Sequence, residues 1–222
     1  MPGSEFAARS TRERGAYRGA GWIRAALQVN PFAYQGSSPP SNSFSSEEVY
    51  NQQLVAACTA LGIGMIGITD HWCVDSAIGL AATAEAAGVI ALPGFEAHTA
   101  EGVHVLVLFE RGTPVGHVNA AIGECGVTAG CHSRETGKSY DDILLAMSRR
   151  GGLVIPAHVN GPKGLLTNQV GVVLERRLKH PGLFAIAVCP DLPATKEQEF
   201  ILTGTRSAEG ARLLDHCQSH FR

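Results

Sequence analysis

The sequence has no apolar run long enough to cross a bilayer. Its longest, such as 103–109, is of strand length, whereas a transmembrane helix needs about 20 residues. No apolar h-region stands near the start, where residues 1–21 are polar and Arg-rich. A secretory signal is therefore not read there, and a cytoplasmic location is expected. A surplus of one charge is lacking too. The formal net charge of −2 over 222 residues offers no electrostatic footing for a nucleic-acid or membrane-surface partner. There is no glycine fingerprint for a dinucleotide, no P-loop, no C-x-x-C pair and no internal repeat, so none of those standard chemistries has its motif here.

What is present is an ordinary globular balance, 45% hydrophobic and 17% charged, which excludes wholesale disorder. Residues 22–222 suffice for a single domain with a full core. Gly3-Ser4-Glu5-Phe6 reads like translated cloning sites, so residues 1–21 are set apart as a tag or disordered leader. The six scattered cysteines, Cys58, Cys73, Cys125, Cys131, Cys189 and Cys217, read as reduced, core-filling thiols. Cys131 beside His132 is the one candidate nucleophile, but adjacent residues rarely present both side chains to one substrate.

Short apolar runs alternate with helix-patterned stretches. Strands are expected over 22–29, 63–69, 89–92, 103–109, 153–157 and 183–188. Helices are expected over 46–61, 76–87, 140–150, 170–179 and 207–220, with a Ser/Pro-rich loop over 36–46. Continuous apolar strands separated by amphipathic helices predict a parallel α/β sheet covered outside. About six such units exceed one Rossmann half and fall short of an eight-fold barrel, so a distorted or incomplete barrel fits best.

In such a fold, chemistry sits at the C-terminal strand ends. The first long apolar strand after the loop ends in Asp70-His71. The next leads through Pro93-Gly94 to Glu96 and His98. His104 opens a strand, and residues 153–157 lead into His158. A carboxylate with several imidazoles is a ligand set for Zn, Mn or Fe. His98, two residues from Glu96 on an extended chain, returns to the same face and is a supplementary candidate. His132, within the polar stretch 130–138, is read as a surface or substrate-loop residue. His117, His180, His216 and His220 are read as exposed.

Gly67-Ile68-Thr69-Asp70-His71, Pro93-Gly94-Phe95-Glu96, Val103-His104-Val105-Leu106 and Pro156-Ala157-His158 resemble, in that order, motifs of the polymerase and histidinol phosphatase (PHP) family. The resemblance covers roughly 22–191. It implies a distorted seven-stranded (β/α)7-type barrel, here with its C-terminal end in question, and metal-dependent phosphoester hydrolysis, usually with three metals. Two departures stand out. Where the family's first motif places its ligands, this chain has Ala26, Gln28, Asn30 and Gln35, and amide oxygens replace imidazole poorly at a transition metal. The last motif has no counterpart, since Asp215-His216 falls in a helical pattern.

Glu96, His104 and His158 correspond to one complete subsite of the resemblance. About one divalent metal per chain is expected, Zn or Mn, with those three as ligands. His71 and Asp70, deprived of metal partners, are cast in proton transfer or substrate orientation. Lys163 is a candidate for an anionic substrate. The expected partner is a small ester, a phosphoester by resemblance. A carboxyl ester is the alternative, because one ion can hold its single oxyanion. A non-catalytic remnant acting as a binding module is the rival from another class.

Overall fold

In a computed structural model, residues 22–130 and 137–189 are described, together with Leu192, Thr195 and Gln198. Five strands form one curled sheet in chain order. They are β1 (Arg24–Val29), β2 (Ile63–Ile68), β3 (Ile90–His98), β4 (His104–Leu108) and β5 (Leu153–Pro156). Six helices among the described residues cover it: α1 (Glu47–Ala60), α2 (Ile78–Ala86), α3 (Val115–Glu124), α4 (Tyr140–Arg149), the single turn α5 (Leu165–Asn168) and α6 (Gly171–Leu178). This is a partial α/β barrel, with five strands among the described residues. None of these helices is long and apolar enough to cross a membrane.

Local chemistry explains most boundaries. Ser46 caps α1 by accepting from the Val49 amide, with Glu47 and Glu48 in the positive first turn. A reciprocal Ser139/Asp142 capping box opens α4. Apolar residues of β1 and β2 meet α1 and α2 in one cluster around Ile66, Ile68 and Leu80, all fully buried. A larger cluster joins β3, β4 and β5 to α3, α4 and α6 through Phe95, Val105, Ile122 and Leu144. Each such side chain contributes roughly 1.5–3 kcal/mol when fully buried. Alternation then sends Leu106 and Leu108 to the inner face, where they meet Ile155 and Ala157.

The sheet departs from the expected parallel arrangement at β4. β1, β2 and β3 are parallel neighbours, but β4 runs antiparallel to both β3 and β5. The cause is local, because residues 99–103 are far too few for a parallel crossover, which takes a dozen or more. They form a tight hairpin in which the Gly102 amide donates to the Thr99 carbonyl at 2.9 Å. Gly102 takes φ +77° there, the left-handed position such hairpin loops reserve for glycine. Because β4 runs backwards, its first residue, His104, lies opposite His98 at the end of β3.

Two further features differ from the expected pattern. Residues 183–188 are not a strand, although the Val159 and Ala187 amides bond the Ala187 and Pro156 carbonyls and lay this segment beside β5. Helix α3 was unforeseen, its pattern diluted by Gly116 and Gly123, yet it buries Val118, Ala121 and Ile122 at helical spacing. The helix expected over 207–220 and the leader over 1–21 lie outside the described residues. Cys58, Cys73 and Cys125 are buried free thiols, as expected of core fillers, and Cys189 is half-buried.

Candidate metal centre

Alternation along β3 turns Phe95 and Ala97 into the main core, and therefore Glu96 and His98 to the opposite face. The same parity on β4 sends His104 to the side of Leu106 and Leu108. His158 comes from the turn after β5, where its backbone is left-handed, at φ 32°. Trp72, just after Asp70-His71, is likewise left-handed at φ 50°. Such conformations cost non-glycine residues on the order of 1–3 kcal/mol and persist only when the surroundings hold them. Here they do: the Gly161 amide donates to the His158 carbonyl at 2.7 Å, and the Trp72 amide to the Glu96 carbonyl at 3.2 Å.

Glu96, His104 and His158 present one ligand atom each within 4.8 Å of one another. Glu96 Oε1 lies 2.7 Å from His104 Nδ1 and 3.7 Å from His158 Nε2, and Glu96 Oε2 lies 4.0 Å from His71 Nδ1. Burial by itself would raise the Glu96 carboxyl. The hydrogen bond from His104, the nearby His158 imidazole and the fields of His71 and His104 outweigh it and hold the group well below the usual carboxylate range. Glu96 is therefore a buried carboxylate anion ringed by imidazoles. His104 Nε2 is buried with no hydrogen-bond partner, an orphan that a cation-binding role would satisfy. The donor set and its spacing fit one divalent ion.

His98 lies beside this group. Its ring stacks on that of His104 at 3.7 Å, and its buried Nε2 also has no hydrogen-bond partner. Desolvation, with help from the positive fields of His104 and His71, pushes it down to about 3, so it is neutral. Asp70 is almost fully buried. Its Oδ1 accepts from the Gln35 and His71 amides and its Oδ2 from the Ser76 hydroxyl, each at 2.8 Å. Burial nonetheless outweighs those bonds and raises its carboxyl above the ordinary value.

Lys163 is exposed, but its carbonyl accepts the His104 amide at 2.9 Å, tying the turn after His158 to the start of β4. The altered first-motif positions diverge. Ala26 packs with the outer cluster, while the Gln28 amide donates to Glu96 Oε2 at 3.4 Å. The carbonyl of Asn30 accepts from the Tyr50 hydroxyl at 2.6 Å. Gln35 contributes its backbone to Asp70. His132, Cys131 and Asp215-His216 lie outside the described residues. His117 and His180 are half-buried rather than exposed; His117 Nε2 meets the Arg150 carbonyl at 3.2 Å.

Two contributors were missed. Ser76 orients Asp70, and Tyr34 places its hydroxyl 3.0 Å from His71 Nε2. Neither carries a motif signal, because each reaches its partner only through the folded chain.

No family model matches the chain, and no curated protein resembles it in sequence. Comparison with solved structures finds distant neighbours. One is a Bifidobacterium adolescentis protein provisionally named a metal-dependent phosphoesterase, with a TM-score of 0.54 at 14% identity, covering 90% of this chain and 85% of its own. A lesion-specific endonuclease of Pyrococcus furiosus scores 0.48 at 13% identity, over 68% of this chain and 38% of its own. An amidohydrolase of Chromobacterium violaceum scores 0.46 at 15%, over 79% and 89%. At 14% identity the likeness to the bifidobacterial protein concerns the fold alone.

Proposed function

We propose that this chain is a metal-dependent hydrolase acting on an ester bond of a small molecule, a phosphoester first. The observation that carries the reading is the convergence of Glu96, His104 and His158 at the strand-end rim. The name given to the bifidobacterial neighbour supports the phosphoester. Glu96, His104 and His158 would hold a single Zn or Mn ion, which would supply Lewis-acid polarisation of the scissile group and lower the pKa of water.

The chain's own residues do the rest. His71 faces Glu96 across 4.0 Å and is placed to exchange a proton with the reacting group. Asp70, fixed by three donors, holds the loop that carries His71. Lys163 is exposed in the turn after His158, with its carbonyl bonded to the His104 amide, and its ammonium would favour an anionic substrate. A carboxyl ester is the second reading. Among the described residues only one three-donor group is found, and a phosphoryl group normally meets more than one cation.

The test is an assay of an aryl phosphate and a short-chain aryl carboxyl ester sharing one leaving group, with Zn and Mn added in turn. Metal-dependent phosphatase activity above the esterase activity supports the phosphoester. Esterase activity at or above it moves the substrate to a carboxyl ester. No hydrolysis of either overturns the hydrolase reading in favour of a non-catalytic binding module.

A further inference from the structure

Tyr34 is built into the site with more care than a loop residue between Pro31 and Ser37 requires. Its own amide donates to the Pro31 carbonyl at 3.1 Å, and the next amide, of Gln35, is pinned on Asp70 Oδ1 at 2.8 Å. The loop's base is anchored again where Tyr50 donates to the Asn30 carbonyl. Gly36 then leaves room for the ring. A Cβ on Gly36 would lie 2.0 Å from Tyr34 Cε1 and 2.8 Å from its hydroxyl, so any other residue there would displace the phenol. The ring, half-buried, sits 5.3 Å from that of His71 at a tilt of 31°. Its hydroxyl reaches Nε2 at 3.0 Å, leaving Nδ1 turned to Glu96.

We propose that Tyr34 is a positioning residue: its hydroxyl donates to His71 Nε2, fixing the ring plane and placing the histidine proton on Nδ1, the nitrogen that faces Glu96. A neutral imidazole has one donor and one acceptor nitrogen, so a partner that donates to one assigns the proton to the other. The phenol can play that part, since burial and the nearby Glu96 and Asp70 carboxylates raise its pKa and keep it protonated. His71 thereby keeps a fixed proton directed at the reacting side of the site. The catalytic consequence rests on the hydrolase reading; the tautomer does not.

The experiment uses the full chain with 15N-labelled histidine, first metal-free and then with Zn, at mildly alkaline pH. The His71 ring signals are identified by their loss in His71→Ala. The proposal expects the Nδ1–H form in the wild type. It expects a shift of both ring nitrogens towards mixed tautomers in Tyr34→Phe, and the same shift in Gly36→Ala, where the hydroxyl is retained but the ring is displaced. Unchanged His71 signals in Tyr34→Phe overturn it, as does a wild-type His71 protonated on Nε2. Where the wild type turns over an ester, Tyr34→Phe should lower kcat about 3- to 10-fold with KM unchanged, the size of one hydrogen bond. That loss should vanish in the His71→Ala background. A wild type with no turnover counts against the hydrolase reading, while the ring signals still decide the role of Tyr34.

Discussion

At the scale of single residues, the proposed function divides the site into groups that would hold a cation and groups that would handle protons. Glu96→Ala and His158→Ala should each remove metal and activity together, read as loss of the bound ion in elemental analysis, because each supplies a ligand atom to a group of three. The wild type should carry about one ion per chain; two or more would mean that His71, Asp70 or His98 also binds. His71→Ala should keep its metal and lose about 10²–10⁴-fold in rate, the usual share of a general acid or base. Loss of metal in that variant would make His71 a ligand. The convergence of Glu96, His104 and His158 was legible in the sequence because each stands at or beside a strand end, and strand ends can be read from apolar runs. Tyr34 was not legible. It is 37 positions from His71, and no periodicity links a loop tyrosine to a histidine across the sheet.

At the scale of elements, the β3–β4 hairpin decides whether the site forms. Gly102→Ala should cost about 1–2 kcal/mol in urea unfolding, since its φ of +77° is the left-handed region that a Cβ disfavours. The same hairpin is clamped from outside. Buried Arg177 bonds Glu101 at 2.6 Å and Asp141 at 3.3 Å and lies over the Tyr140 ring at 5.1 Å. Burial opposes the charge on Glu101, but the bond from Arg177 outweighs it and lowers the carboxyl below its ordinary value. A carboxyl depressed in the folded state stabilises fully above its unfolded pKa, about 4.3. That contribution is lost as pH falls through the folded value. Between pH about 6 and about 3 the wild type should therefore lose more Tm than Glu101→Gln, whose amide does not titrate; equal slopes would show that the pair contributes nothing. The hairpin was half legible. Glu101-Gly102 between two apolar runs is a turn signal, and the gap was too short for a crossover. Helix α3 was missed for the opposite reason: its glycines weaken propensity while its buried face, set by packing, carries it.

At the scale of the whole molecule, an ion bound at Glu96, His104 and His158 would link β3, β4 and the turn after β5 and should stabilise the fold by mass action. With Zn at about 100 times its dissociation constant the gain is about 2.7 kcal/mol, or roughly 5–10 °C in Tm for a chain of this size. Differential scanning calorimetry should find that gain in the wild type and not in Glu96→Ala; a gain in both would place the ion elsewhere. The sequence by itself determined the α/β class of the fold, most of the strand ends and the candidate ligand side chains, because apolar periodicity and ligand chemistry are local properties. The tertiary structure alone decided that β4 runs antiparallel, which brings His104 to the rim beside His98. It also decided that Gln28 reaches Glu96, and that the Tyr34 hydroxyl meets His71. Those outcomes depend on which strands pair and how far a loop must fold back. Pairing is fixed by the joint burial of both faces of the sheet, a quantity that no single stretch of sequence contains.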